Sequence, residues 1–135
     1  MIFGDQSNRP LAQATVVRVP SPINHVGIIA YDDLGQQIVL HNSKKRGYAA
    51  ATSPDEFNDG NLQVVIDRPP ASSVEGAEIV QRAWSDVQRG VRWSWFNNCQ
   101  DFVNRAVQGR NGSPTRDLVF GLCALGVVAF AVFAE

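Results

Sequence analysis

The 135 residues make one domain, enough for a core of its own but not for two. Twelve basic against thirteen acidic side chains leave a net charge of −1, which excludes a chain that binds nucleic acid through its overall charge. Charged residues are 19% of the chain, and the shortfall is local: 118–134 holds seventeen residues without a charge, fifteen of them apolar.

Residues 1–14 read as an irregular polar lead-in. Thr15–Val19 (TVVRV) is β-branched enough for a short strand and is closed by Pro20 and Pro22. His25–Tyr31 (HVGIIAY) and Gln37–Asn42 (QIVLHN) flank the turn-rich Asp32-Asp33-Leu34-Gly35-Gln36 and predict a β-hairpin. Leu62–Asp67 (LQVVID) predicts one more strand, with Leu62, Val64 and Ile66 on one face, before Pro69-Pro70 ends the sheet region. The period then changes. Ser72-Ser73-Val74-Glu75 is a capping box, and Val74, Ala77, Val80, Trp84 and Val87 follow at helical spacing to Gly90. A loop over Val91–Asn98 carries Trp93, Trp95 and Phe96. A second helix starts near Asn98 or Cys99 and runs to Val107, with Phe102, Val103, Ala106 and Val107 as its apolar face and Gly109 as its stop. Strands first and helices after predict an α+β fold, an antiparallel sheet packed by two helices.

Three side chains carry the candidate chemistry. Cys99 stands at the first turn of its helix, where unpaired N–H groups and the helix dipole favour an anion, so a depressed thiol pKa is expected. A buried cysteine can equally be a small apolar filler. His25 and His41, the only histidines, sit on the two hairpin strands. If Tyr31 pairs with Gln37, Gly27 lies opposite His41, and both imidazoles share one face; a slip of one residue separates them. Two histidines so placed suit a general base and the group that orients it. A zinc site of Cys99, His25, His41 and a carboxylate has no close-spaced ligand pair behind it, so no metal and no cofactor is expected. Cys99 and Cys123 do not form a disulfide scaffold. The opening MIFGDQSNRP lacks the charged and apolar runs of a signal peptide, and a reducing, cytoplasmic setting is expected.

The stretches NHVGIIAYDD and VLHN, with NNCQDFVNRA much later, resemble the H-box and NC motifs of the lecithin:retinol acyltransferase-like proteins. These are circularly permuted relatives of the NlpC-type papain-like cysteine hydrolases, in which the histidine strand precedes the cysteine helix. The resemblance covers roughly His25 to Val107 and implies a permuted papain-like fold. It implies Cys99 as nucleophile, His25 as general base and His41 as the residue that orients His25, with the N–H of Cys99 in an oxyanion hole. Two departures stand out from the cellular lipid enzymes of this family, which usually show an aromatic after the first histidine and Glu-His after the cysteine. This chain has Val26, then Gln100-Asp101. Those traits, the short length and the apolar C-terminus look more like the H-box/NC 2A proteins of picornaviruses such as kobuviruses and parechoviruses.

By that likeness the chain is expected to be a viral non-structural protein supporting replication through membrane, RNA or host-factor binding, with a Cys–His site that need not be active. The alternative is an active cysteine thiol acyltransferase or phospholipase A working on lipid esters through a Cys99 thioester; a bacterial NlpC-type amidase is weaker. The expected organisation is an H-box/NC domain over 1–116 and an apolar C-terminal segment over 117–135. Seventeen helical residues span about 25 Å, just short of a hydrocarbon core, so 118–134 suits either membrane association or packing on the domain. Residues 82–116 hold six arginines against Asp86 and Asp101, interleaved with Trp84, Trp93 and Trp95. They suit phosphate on a lipid or RNA, or simply the solvated face of two helices. Lys44-Lys45-Arg46, just after His41, forms a second, smaller basic cluster.

Overall fold

A computed structural model describes residues 1–20, 25–60, 63–94 and 97–109. The apolar segment 118–134, Cys123, Trp95, Phe96, Leu62 and Pro22 lie outside the described residues. The chain is α+β. Strands β1 (Val16–Val19), β2 (His25–Tyr31), β3 (Gln37–Ser43), β4 (Tyr48–Thr52) and β5 (Val65–Arg68) form an antiparallel sheet in the order β4-β3-β2-β1-β5. Helix α1 (Pro54–Asn58) follows β4, and α2 (Ser73–Arg89) and α3 (Cys99–Gln108) follow β5.

The β2–β3 hairpin forms because Asp32 caps its own turn. The Asp32 carboxylate accepts from the N–H groups of Leu34 and Gln36, and Gly35 takes the left-handed conformation the reversal needs, at φ 77°. Tyr31 pairs with Gln37, and the ladder continues to Ile28 opposite Leu40. β2 is apolar along its length because the sheet is covered on both faces. Val26, Ile28 and Ala30 turn to one side and pack with Leu40, Ile79, Ala83, Phe102 and Ala106, under α2 and α3. Ile29 turns to the other and packs with Phe3, Leu11, Val17, Val39 and Phe57. The lead-in segment is therefore more than a polar approach: Phe3 and Leu11 are buried, and the N–H of Phe3 donates to the Gln37 side chain at 2.6 Å.

Two elements add to the expected set. β4 and α1 follow β3 directly, and the expected fourth strand over Leu62–Asp67 is β5 at Val65–Arg68, an edge strand on which Ile66 is 44% exposed. Both long helices have the expected ends. Ser72 accepts from the N–H of Glu75, and Gly90 and Gly109 close the helices in the left-handed region. The buried face of α2 is turned from the expected one. Ile79, Ala83 and Asp86 point inward, Val80, Trp84 and Val87 flank them, and Val74 is 68% exposed in the first turn. Among the described residues no helix is long and apolar enough to cross a membrane.

Candidate active site

The hairpin register that joins Tyr31 to Gln37 puts both imidazoles on one side of the sheet. Nε2 of His25 lies 2.9 Å from Nδ1 of His41, and Nε2 of His41 lies 2.9 Å from the Thr52 hydroxyl. Phe57 is the floor beneath them. Its ring stacks on His25 at a centroid distance of 4.8 Å and meets His41 edge-on at 5.1 Å. Gly27 makes that approach possible, since a Cβ there would stand 2.6 Å from Val39 Cγ1 and 2.8 Å from Phe57 Cε1. Neither Thr52 nor Phe57 stands out in a search for nucleophiles and bases. A signal was present in Ser53-Pro54-Asp55-Glu56, a proline-led capping sequence that announces a helix directly after Thr52.

Cys99 opens α3, and its neighbours explain why. Asn98 is the N-cap: its side chain accepts from the N–H groups of Gln100 and Asp101, and the Asp101 carboxylate reaches back to the N–H of Asn98 at 3.0 Å. The asparagine of the NC pair thus starts the helix that carries the cysteine. Asn97, one residue earlier, is tied to the hairpin, because its carbonyl accepts from the Asn42 side chain at 2.8 Å. Cys99 is a thiol rather than half of a disulfide. It packs against the helix-side core, and His25 and His41 rest on Phe57. The N–H of Val26, next to His25, bears on the thiol.

Electrostatics hold all three groups neutral. Burial pushes His25 down to about 4 against an opposing pull from Asp59. His41 falls to about 3, from burial first and then from the charges of His25 and Arg46. The depressed thiol expected at a helix N-terminus is corrected here: burial pushes the Cys99 thiol up, and Asp101 adds to the rise. The amides of Val26, Gln100 and Cys99 itself pull the other way and are outweighed, because a dry site penalises the thiolate more than three dipoles favour it. At neutral pH the resting site holds a thiol and two uncharged imidazoles, so proton transfer has to accompany any attack by sulfur rather than precede it. Among the described residues no group of three or more His, Cys, Asp or Glu side chains is placed to hold a metal ion.

The Arg-rich segment is partly spent on structure. Arg82 donates to the Ala106 carbonyl at the end of α3, and Arg89 and Arg105 both bind the buried Asp86 carboxylate. Lys44 and Arg92 are exposed, and the Lys44 ammonium lies 5.2 Å over the Trp93 ring. No family model matches the chain, and no curated protein or solved structure is significantly similar to it.

Proposed function

We propose that this chain is an H-box/NC domain of the permuted papain-like type, and that it acts as a viral non-structural protein through binding to a membrane, RNA or a host protein. In this reading its Cys–His site is a catalytic framework that rests uncharged. The observation that carries it is the burial of the site. His25 and His41 are bonded to each other over Phe57, and desolvation pushes both imidazoles down and the Cys99 thiol up. A thiolate–imidazolium pair, the resting state of an activated cysteine nucleophile, is opposed on both sides, since burial disfavours each charged form. The strand-then-helix order of histidines and cysteine, and two helices packed on an antiparallel sheet, support the fold part of the proposal.

One observation favours the alternative of an active thiol acyltransferase or phospholipase A. Three backbone amides bear on the Cys99 thiol, the kind of donor set that stabilises negative charge developing during acyl transfer. The rate of Cys99 alkylation as a function of pH, read by peptide mass spectrometry with and without His25→Ala, separates the two. The proposal expects slow alkylation that rises only above the ordinary cysteine value of about 8.5 and is indifferent to His25→Ala. Fast alkylation persisting below pH 7 and abolished by His25→Ala would overturn it in favour of the acyltransferase.

A further inference from the structure

The histidine pair has a direction, and a third residue sets it. Thr52, on the last position of β4, is buried with its hydroxyl between two partners: Nε2 of His41 at 2.9 Å and the carbonyl of Ser53 at 3.2 Å. A hydroxyl has one proton. The carbonyl has none to give, so only the threonine proton makes that contact a hydrogen bond, and the imidazole must then supply the proton for the other. That fixes His41 with hydrogen on Nε2 and a lone pair on Nδ1. Nδ1 of His41 faces Nε2 of His25 at 2.9 Å, so the proton of that bond belongs to His25 Nε2. His25 is left with its lone pair on Nδ1. The reverse assignment would set the Thr52 oxygen and the Ser53 carbonyl lone pair to lone pair at 3.2 Å, and it would put the proton on His25 Nδ1. One arrangement makes every contact a bond.

We infer that Thr52 is a positioning residue which, through His41, locks His25 in the tautomer that presents an unprotonated Nδ1. Its placement is fixed at both ends. The β3–β4 ladder pairs Val39 with Thr52, and Ser53 is the N-cap of α1, whose carbonyl also receives the N–H of Phe57. The helix that lays Phe57 under the imidazoles therefore also anchors the hydroxyl that orients them. Neutral rings are required for a tautomer to exist at pH 7, and burial supplies that condition. The use of the Nδ1 lone pair, as a base or as an acceptor for a bound group, rests on the H-box reading above. The tautomer itself does not.

The test is nitrogen NMR of the two imidazoles in the full-length protein at pH 7, in wild type, Thr52→Val and Thr52→Ser. In wild type both rings are expected to show protonated, pyrrole-type Nε2 and bare, pyridine-type Nδ1. Thr52→Val keeps the shape but removes the hydroxyl, and should turn these into averaged shifts on both rings. Thr52→Ser should restore the wild-type pattern. A wild-type spectrum with the proton on Nδ1 of either ring overturns the inference, and so does a Thr52→Val spectrum identical to wild type. Should Thr52→Val fail to fold, the wild-type spectrum and Thr52→Ser decide alone. The alkylation experiment reads Cys99, so a failed function proposal leaves this result standing and the converse also holds.

Discussion

His25 and His41 make stability depend on pH in a direction their burial dictates. Both have native pKa values below the ordinary 6.5, at about 4 and about 3, so above pH 6.5 neither state of the chain carries the extra proton. Below 6.5 the unfolded chain takes up protons that the native site refuses, and stability falls as pH drops toward the native values. Each histidine contributes up to about 1.4 kcal/mol per pH unit, so the pair costs at most about 4 kcal/mol between pH 6.5 and pH 5. Urea midpoints at pH 7 and pH 5 check this. The midpoint should fall at pH 5, and His25→Gln combined with His41→Gln should flatten the dependence. An unchanged wild-type midpoint would mean that water reaches the imidazoles and that they titrate normally. The same desolvation raises Cys99, so one cause accounts for all three shifts. Cys99, His25 and His41 could be picked out by residue type, because nucleophiles and bases are few and their spacing is visible. The sign of the cysteine shift was not legible, because burial is a property of the packed molecule and the dipole argument sees only the helix end.

At the scale of elements, the legible parts are those with a strong period or a chemical stop. The two long helices read correctly because Ser72, Asn98, Gly90 and Gly109 are caps whose chemistry is local. The hairpin reads correctly because Asp32 and Gly35 make a turn without outside help. β4 does not read, and its sequence shows why. Tyr48-Ala49-Ala50-Ala51-Thr52 has no polar–apolar alternation, alanine favours helices, and the segment becomes a strand because β3 offers it a ladder. α1 is five residues long, too short for a period to show. The rotated inner face of α2 has the same kind of cause. Asp86 faces inward beside Ile79 and Ala83, where Arg105 of α3 meets it, and a buried charge on the inner face is something no apolar pattern reveals. Gly27 tests how closely the missed elements pack. Gly27→Ala would drive a methyl into Val39 and Phe57, and overpacking of this kind costs about 1–3 kcal/mol. A lowered urea midpoint at pH 7 is the expected result. Stability equal to wild type would show that Phe57 moves aside freely and is no fixed floor for the imidazoles.

Across the whole molecule, a polar chain runs from the helix layer to the sheet beside the candidate site. The Asp86 carboxylate on α2 accepts from Arg105 Nε on α3 at 2.7 Å, and Arg105 Nη1 donates to the Asn97 side chain at 2.6 Å. The Asn97 carbonyl then accepts from Asn42 on β3, the residue after His41. Segment 91–93 adds two backbone bonds on the same side, from Ala49 to Val91 and from Trp93 to Gly47. The N-cap that carries Cys99 is thereby held in register with the strand that carries His41, through groups that have no part in acid–base chemistry. Asp86 is 5% exposed at its side chain and Arg105 19%, so removing the carboxylate takes an ion-pair partner from a largely buried guanidinium. Asp86→Ala is therefore expected to cost about 3 kcal/mol, read as a lowered urea midpoint. It should also speed Cys99 alkylation at pH 8, because the start of α3 loses its tie to the sheet and the thiol gains water. A double-mutant cycle with Arg105→Ala separates this pair from an ordinary surface one. Coupling below about 1 kcal/mol would place Asp86 and Arg105 among exposed ion pairs and remove the link between the helix layer and the sheet. Larger coupling, together with faster alkylation in Asp86→Ala alone, would mean that the geometry around Cys99 is set in part from α2.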